Sequence, residues 1–96
     1  MTLEEFKKTL SSSEPPAGLD KTLQALWFDG KGDWDKAHNA AQSINNSNGS
    51  WIHAYLHRKE GDLSNSSYWY SRAGKKMPDI TLQEEWNNLV SEFLKK

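Results

Sequence analysis

The chain has 96 residues, enough for one domain with a single modest core. Twelve basic residues stand against thirteen acidic ones, and the net charge of −1 argues against a protein whose affinity comes mainly from neutralising phosphates. Cysteine is absent, which excludes disulfides and thiolate metal sites, and no apolar run approaches the roughly 18 residues of a membrane span. The opening Met1-Thr-Leu-Glu-Glu-Phe-Lys-Lys is amphipathic rather than signal-like, so a cytoplasmic protein is expected. Val and Ile are scarce while Ala, Leu, Lys and Glu are common, which favours an all-helical fold.

The first helix is expected from Thr2 to about Leu10. Thr2 and Glu5 have capping-box spacing, and Leu3, Phe6 and Leu10 make one apolar stripe. Ser11-Ser-Ser-Glu-Pro-Pro-Ala-Gly18 ends it, because two successive prolines cannot continue a helix. Residues 11–18 read as a linker, which leaves the first helix loosely docked. A second helix covers about Leu19 to Asp29, with Leu19, Leu23, Leu26 and Trp27 on one face, and Gly30-Lys-Gly32 stops it. Asp33 caps a third helix from Trp34 to about Ile44, with Trp34, Ala37, Ala41 and Ile44 inward. Asn45-Asn-Ser-Asn-Gly-Ser50 reads as a loop whose last residue caps a fourth helix, Trp51 to Glu60. Gly61 ends that helix and Asp62 caps a fifth, Leu63 to about Ala73, with Leu63, Ser66, Trp69, Tyr70 and Ala73 inward. Gly74 and Pro78 close it. The last helix starts at Asp79 or at Thr81, where Thr81 and Glu84 repeat the capping-box spacing. Its apolar stripe is Leu82, Trp86, Leu89, Val90 and Phe93.

Sliding the chain on itself by 29 residues aligns Ala25 with Ala54, Gly32 with Gly61 and Asp33 with Asp62. Each copy is helix, Gly-Asp turn, helix, and this resembles the helical repeats of tetratricopeptide and Sel1-like proteins. Gly32-Asp33-Trp34 and Ala37 match that pattern in the first copy, and Gly61-Asp62, Tyr70, Ala73 and Pro78 match it in the second. Ser66 at the small position, Ala41 in place of an aromatic, and the short period depart from it. More narrowly, His53-Ala-Tyr-Leu-His-Arg-Lys-Glu-Gly-Asp, with Asn65 and Tyr68-Trp-Tyr-Ser-Arg-Ala73, resembles a family of small helical proteins that brings no assigned activity. Two hairpins too small to bury their own faces would stack, with the terminal helices capping the stack.

The polar residues that carry chemistry concentrate between Trp51 and Ala73. His53, His57 and Glu60 share a stripe of the fourth helix, and imidazoles one turn apart can share a metal. The metalloprotease motif needs Glu directly after the first His and is absent. His38, at the edge of the third helix and one turn after Trp34, is placed to approach the other two. Three neutral imidazoles would bind Zn²⁺ or a related ion and leave one coordination position open. The plain alternative makes His53 and His57 ordinary hydrogen-bonded helix residues. Arg58, Arg72, Lys75 and Lys76 make a basic stretch with Tyr68, Trp69 and Tyr70 interleaved, but Glu60 and Asp62 oppose nucleic-acid binding there. Trp34, Trp51, Trp69 and Trp86 read as core, with Gln42, Asn65 and His38 as partners for their indole N–H groups. No Ser-His-Asp order, phosphate loop or nucleotide fingerprint is present.

The resulting expectation is an all-α, repeat-like stack of antiparallel helical hairpins, about six helices in one domain over 1–96. It would act as a binding module for a protein, peptide or small molecule, with no nucleic acid or membrane as partner. Its groove would lie between the second and fourth helices, with His38, His53, His57, Arg58, Glu60 and Arg72 as candidate ligand contacts. His38 and at least one of His53 and His57 would line a common concave pocket with Glu60 or Arg58 at its rim, and His57, as a rim residue, would carry little packing. The alternative is a small metal- or ligand-dependent enzyme using His38, His53 and His57.

Overall fold

The computed structural model describes residues 1–95 and is all-α: α1 Leu3–Thr9, α2 Lys21–Gly30, α3 Trp34–Gln42, α4 Ser47–Lys59, α5 Leu63–Arg72 and α6 Leu82–Leu94. Each helix starts where a short polar side chain takes up free amides of the first turn. Thr2 and Thr81 form full capping boxes with Glu5 and Glu84. The hydrogen bonds from the threonine groups hold both glutamate carboxyls below their ordinary range. Asp20, Asp33 and Asp62 accept from the N–H groups of Leu23, Lys36 and Asn65. Because Asp20 is the cap, α2 begins at Lys21 and Leu19 stays outside it.

The expected loop over 45–50 is largely helix. Asn46, rather than Ser50, is the cap of α4, and its Oδ1 accepts from Asn48 N–H at 2.9 Å and Gly49 N–H at 3.2 Å. Glycine belongs at position 49 because the chain at Ile44 folds back against the helix there. A Cβ on Gly49 would stand 2.2 Å from the Ile44 carbonyl oxygen.

Two hairpins share one turn geometry. Gly32 and Gly61 have φ of 83° and 88°, a left-handed conformation that glycine takes without strain. The following Asp33 and Asp62 donate their N–H groups back to Phe28 and His57 carbonyls, closing a Schellman-type end on the first helix of each pair. The α2–α3 and α4–α5 pairs are therefore antiparallel, and α3 and α2 both pack against α4.

Helix α4 is the centre of the stack, with Ile52, His53, Ala54, Tyr55, Leu56 and His57 all buried. Its inner side joins Leu23, Leu26 and Trp27 of α2 and Trp86, Leu89, Val90 and Phe93 of α6 in one core. Burial contributes roughly 1.5–3 kcal/mol for each large apolar side chain. On α4's α5 side, the Ser66 hydroxyl donates to the Ala54 carbonyl at 2.7 Å, so a small residue lets the two helices close up. The first helix is docked: Phe6 is fully buried against Trp86, and the Trp27 indole donates to Thr9 Oγ1 at 3.1 Å. Among the described residues, no helix is long and apolar enough to cross a membrane.

Candidate metal centre

The three histidines converge. His53 and His57 lie one turn apart on the face of α4 that meets α3 and α5, and His38 reaches them from α3. One ring nitrogen from each lies within 4.8 Å of the others. His38 and His53 meet Nε2 to Nε2 at 3.1 Å. Nδ1 of His57 is 2.7 Å from Glu60 Oε1, so its N–H donates to the carboxylate and leaves the lone pair on Nε2. This is the outer-shell arrangement that orients a metal-binding imidazole.

Aromatic walls hold the rings. Trp34 stacks on His38 with centroids 4.8 Å apart and meets His57 edge-on, while Trp69 stacks on His53 at 4.2 Å. The Trp34 indole is fixed by donating to the Leu56 carbonyl at 2.9 Å. Burial and mutual proximity favour the uncharged forms of His38 and His53. Burial, then the neighbouring His38 and His57, pushes His53 down from 6.5 to about 4. Burial, then His57, also lowers His38, with Glu60 and Asp35 partly opposing.

His57, Glu60 and Asp62 make a second group with ligand atoms within the same 4.8 Å. Its carboxylates lie at the exposed Gly61 turn, where Asp62 caps α5 and Glu60 already holds His57. The three-histidine set is the better donor group, because His53 and His57 are buried and His38 half-buried, whereas both carboxylates of the second group are exposed.

The other candidate residues divide. Glu60 stands behind His57. Arg58 does not join the histidines: it turns to α6, where it donates to Glu85 Oε1 at 2.8 Å and to the Ile80 carbonyl. Glu85 is buried and also accepts from Tyr70 Oη at 2.5 Å and Trp51 Nε1 at 3.3 Å. That network is a structural tie between α4, α5 and α6, and it raises the Tyr70 hydroxyl far above its ordinary value, burial being the largest cause. Arg72 lies over the Tyr68 and Trp69 rings and donates to Tyr68 Oη at 3.0 Å. His57 is 7% exposed and packed against Trp34, so it is an enclosed residue and not a rim residue.

A cleft of about 400 Å³ lies where α1, α2, α4 and α6 meet, with Asp29, Tyr55, Lys59 and Trp86 in its lining. None of the three histidines lines it. Its polar groups satisfy one another: Tyr55 Oη and Lys59 Nζ both donate to the buried Asp29, at 2.7 and 2.9 Å. A second cleft, of about 360 Å³, includes His53, Trp69 and Arg72 but neither His38 nor His57. The histidines thus meet between aromatic rings, with His38 half-buried and His53 bordering the second cleft.

Trp69 was expected inside the core. It is half-buried and lies outside the core cluster, because Ser66 and Tyr70 centre the inner stripe of α5 and Trp69 falls on its flank, on the same side as Arg72. The indole donors do not use Gln42, Asn65 or His38. Trp27 uses Thr9, Trp34 uses Leu56, Trp51 uses Glu85 and Trp86 uses the Leu26 carbonyl. Glu85, the buried acceptor, was hidden in the sequence among the exposed glutamates of a capping segment. No family model, curated protein or solved structure matches the chain.

Proposed function

We propose that the chain is a small helical binding module whose ligand is one divalent transition-metal ion, zinc in the simplest case. His38, His53 and His57 are the donors, and Glu60 is hydrogen-bonded behind His57. The observation that carries this reading is the convergence of three ring nitrogens within 4.8 Å. Two nitrogens at the usual zinc distance of roughly 2.0–2.1 Å in tetrahedral geometry are about 3.3 Å apart. The His38–His53 separation of 3.1 Å is already close to that value.

Depressed pKa values of His38 and His53 support the same reading, since neutral imidazoles present lone pairs without first losing a proton. Binding would replace the His38–His53 hydrogen bond: the Nε2 proton that one ring donates moves to Nδ1, and both Nε2 lone pairs turn to the ion. Three imidazoles suit Zn²⁺, Co²⁺, Ni²⁺ or Cu²⁺ better than Mg²⁺ or Ca²⁺. A fourth position stays open for water or for a donor atom of a bound molecule.

Cobalt(II) tests the site by its colour. Added to metal-free protein, it is expected to give intense visible absorption of a four-coordinate ion, saturating at one ion per chain and lost in His53→Ala. Weak, six-coordinate-type absorption at every ratio contradicts the reading.

A further inference from the structure

The 360 Å³ cleft beside His53 is built differently from the other openings in the molecule. It lies where the start of α4 meets the end of α3 and the last turn of α5. Among the described residues that line it none is acidic, and Arg72 supplies a positive charge. Arg72 has no carboxylate partner, yet stacking over Trp69 and Tyr68 and its hydrogen bond to Tyr68 fix its plane. The exposed guanidinium is held to these rings and still has donors to spare.

Ser50 provides an independent observation. It is 9% exposed and lines the cleft, and its hydroxyl has no hydrogen-bond partner among the described residues. Its oxygen is open to the cleft and not sealed in the interior, so it is a donor available to something bound there. The 13-residue α4 begins at Ser47 and directs the positive end of its dipole here. The opposing carbonyl end of α3 is muted, because Ser43 and Ile44 donate to the Ala40 and Ala41 carbonyls. His53 and Arg72 both pack on the Trp69 ring, which leaves less of it for stacking an aromatic base.

We propose that this cleft binds a small anion bearing a carboxylate or phosphate group, with Arg72 as counter-ion and the Ser50 hydroxyl as second donor. The site is separate from the metal reading, although His53 borders both, and it requires no metal. A bound carboxylate or phosphate oxygen would accept from Arg72 and from the Ser50 hydroxyl. Its charge would meet a preset cation, a helix N-terminus and no opposing acid.

The test is a nuclear magnetic resonance titration of the full chain, stripped of metal and exchanged into chelator-free chloride buffer. Sodium phosphate and sodium acetate are the probes, at matched ionic strength, with acetamide as the neutral control. Saturable shifts are expected at the Ser47 and Ser50 amides and the Trp69 indole N–H, with a midpoint in the millimolar range. Arg72→Gln should weaken binding about tenfold or more, the loss of one charge-assisted contact, and Ser50→Ala should weaken it several-fold. Saturation by phosphate alone or acetate alone supports the site and decides between a phosphate ester and a carboxylate. Absence of saturable shifts with both, or an unchanged midpoint in Arg72→Gln, overturns the proposal. Because the sample holds no metal, either result is independent of whether the histidines bind one.

Discussion

His38 and His53 share one hydrogen bond, Nε2 to Nε2 at 3.1 Å, across the packing surface between α3 and α4. Two neutral imidazoles can do this only as different tautomers, one donating and one accepting. One proton added to the pair would keep the N–H···N contact but place a charge in a site that burial makes unfavourable to it, and a second would leave two facing donors that repel, so the pair joins the two hairpins best while both rings are neutral.

A pH dependence follows, and its sign can be fixed. His53 titrates near 4 in the folded chain and near 6.5 when unfolded, so between these values the unfolded chain binds more protons. Its contribution is fully present above about pH 6.5 and is lost as pH falls through 4; His38 acts in the same direction. The full loss is about 3 kcal/mol. We predict that denaturant midpoints of metal-free protein are flat from pH 8 to 7 and fall below it. The fall should be shallower in His53→Gln than in wild type, and equal slopes would show that His53 does not set it.

Glu60 offers a contact to His57 from a half-exposed position, with its side chain 39% accessible. Glu60→Ala removes the group that fixes the His57 tautomer and disturbs little packing. We predict that zinc affinity drops about 10–100-fold while the thermal midpoint of metal-free protein stays close to wild type. Unchanged affinity would place Glu60 outside the site.

Arg58→Met leaves Glu85 buried with only Tyr70 and Trp51 as donors. Removing one partner of such a pair costs about 3–5 kcal/mol, a large share of a small domain's margin. Chemical denaturation should register that loss, and removing Arg58 and Glu85 together should cost less than the two single losses added. Strict additivity would mean that the pair is not coupled.

Much of the fold was legible because its signals are local. Thr2 with Glu5, Thr81 with Glu84, and the Gly-Asp pairs at 32–33 and 61–62 each act within one turn of chain, and each sits where the sequence places it. The start of α4 was not legible. Asn45 to Ser50 has loop composition, and only the folding-back of the chain at Ile44 against Gly49 shows why a glycine belongs in a helix. The docking of α1 was hidden for the same reason, since Phe6 and Thr9 find partners in α6 and α2. Helical spacing put His53, His57 and Glu60 on one stripe, and the edge position of His38 pointed toward them. Spacing cannot give the rotation of α5 about its axis, and that rotation decides that Trp69 walls the histidines while Tyr70 enters the core. It likewise cannot pair Arg58 with a glutamate 27 residues away.

Gly49 gives a direct check on that folding-back. We predict that Gly49→Ala destabilises the chain by about 1–3 kcal/mol, as overpacking does, although alanine ordinarily favours a helix by nearly 1 kcal/mol over glycine. A more stable variant would mean that the chain at Ile44 does not fold back against this point.

Calorimetric titration of zinc into metal-free wild type and into His38→Ala, His53→Ala and His57→Ala tests the central claim most directly. One ion should bind per wild-type chain, and each single replacement should weaken binding by at least about tenfold, a loss of roughly 1.4 kcal/mol or more. Circular dichroism would confirm that the variants remain helical. No saturable binding by the wild-type chain, or binding unchanged in all three folded variants, would contradict it and leave the histidines as an aromatic, hydrogen-bonded tie between α3 and α4.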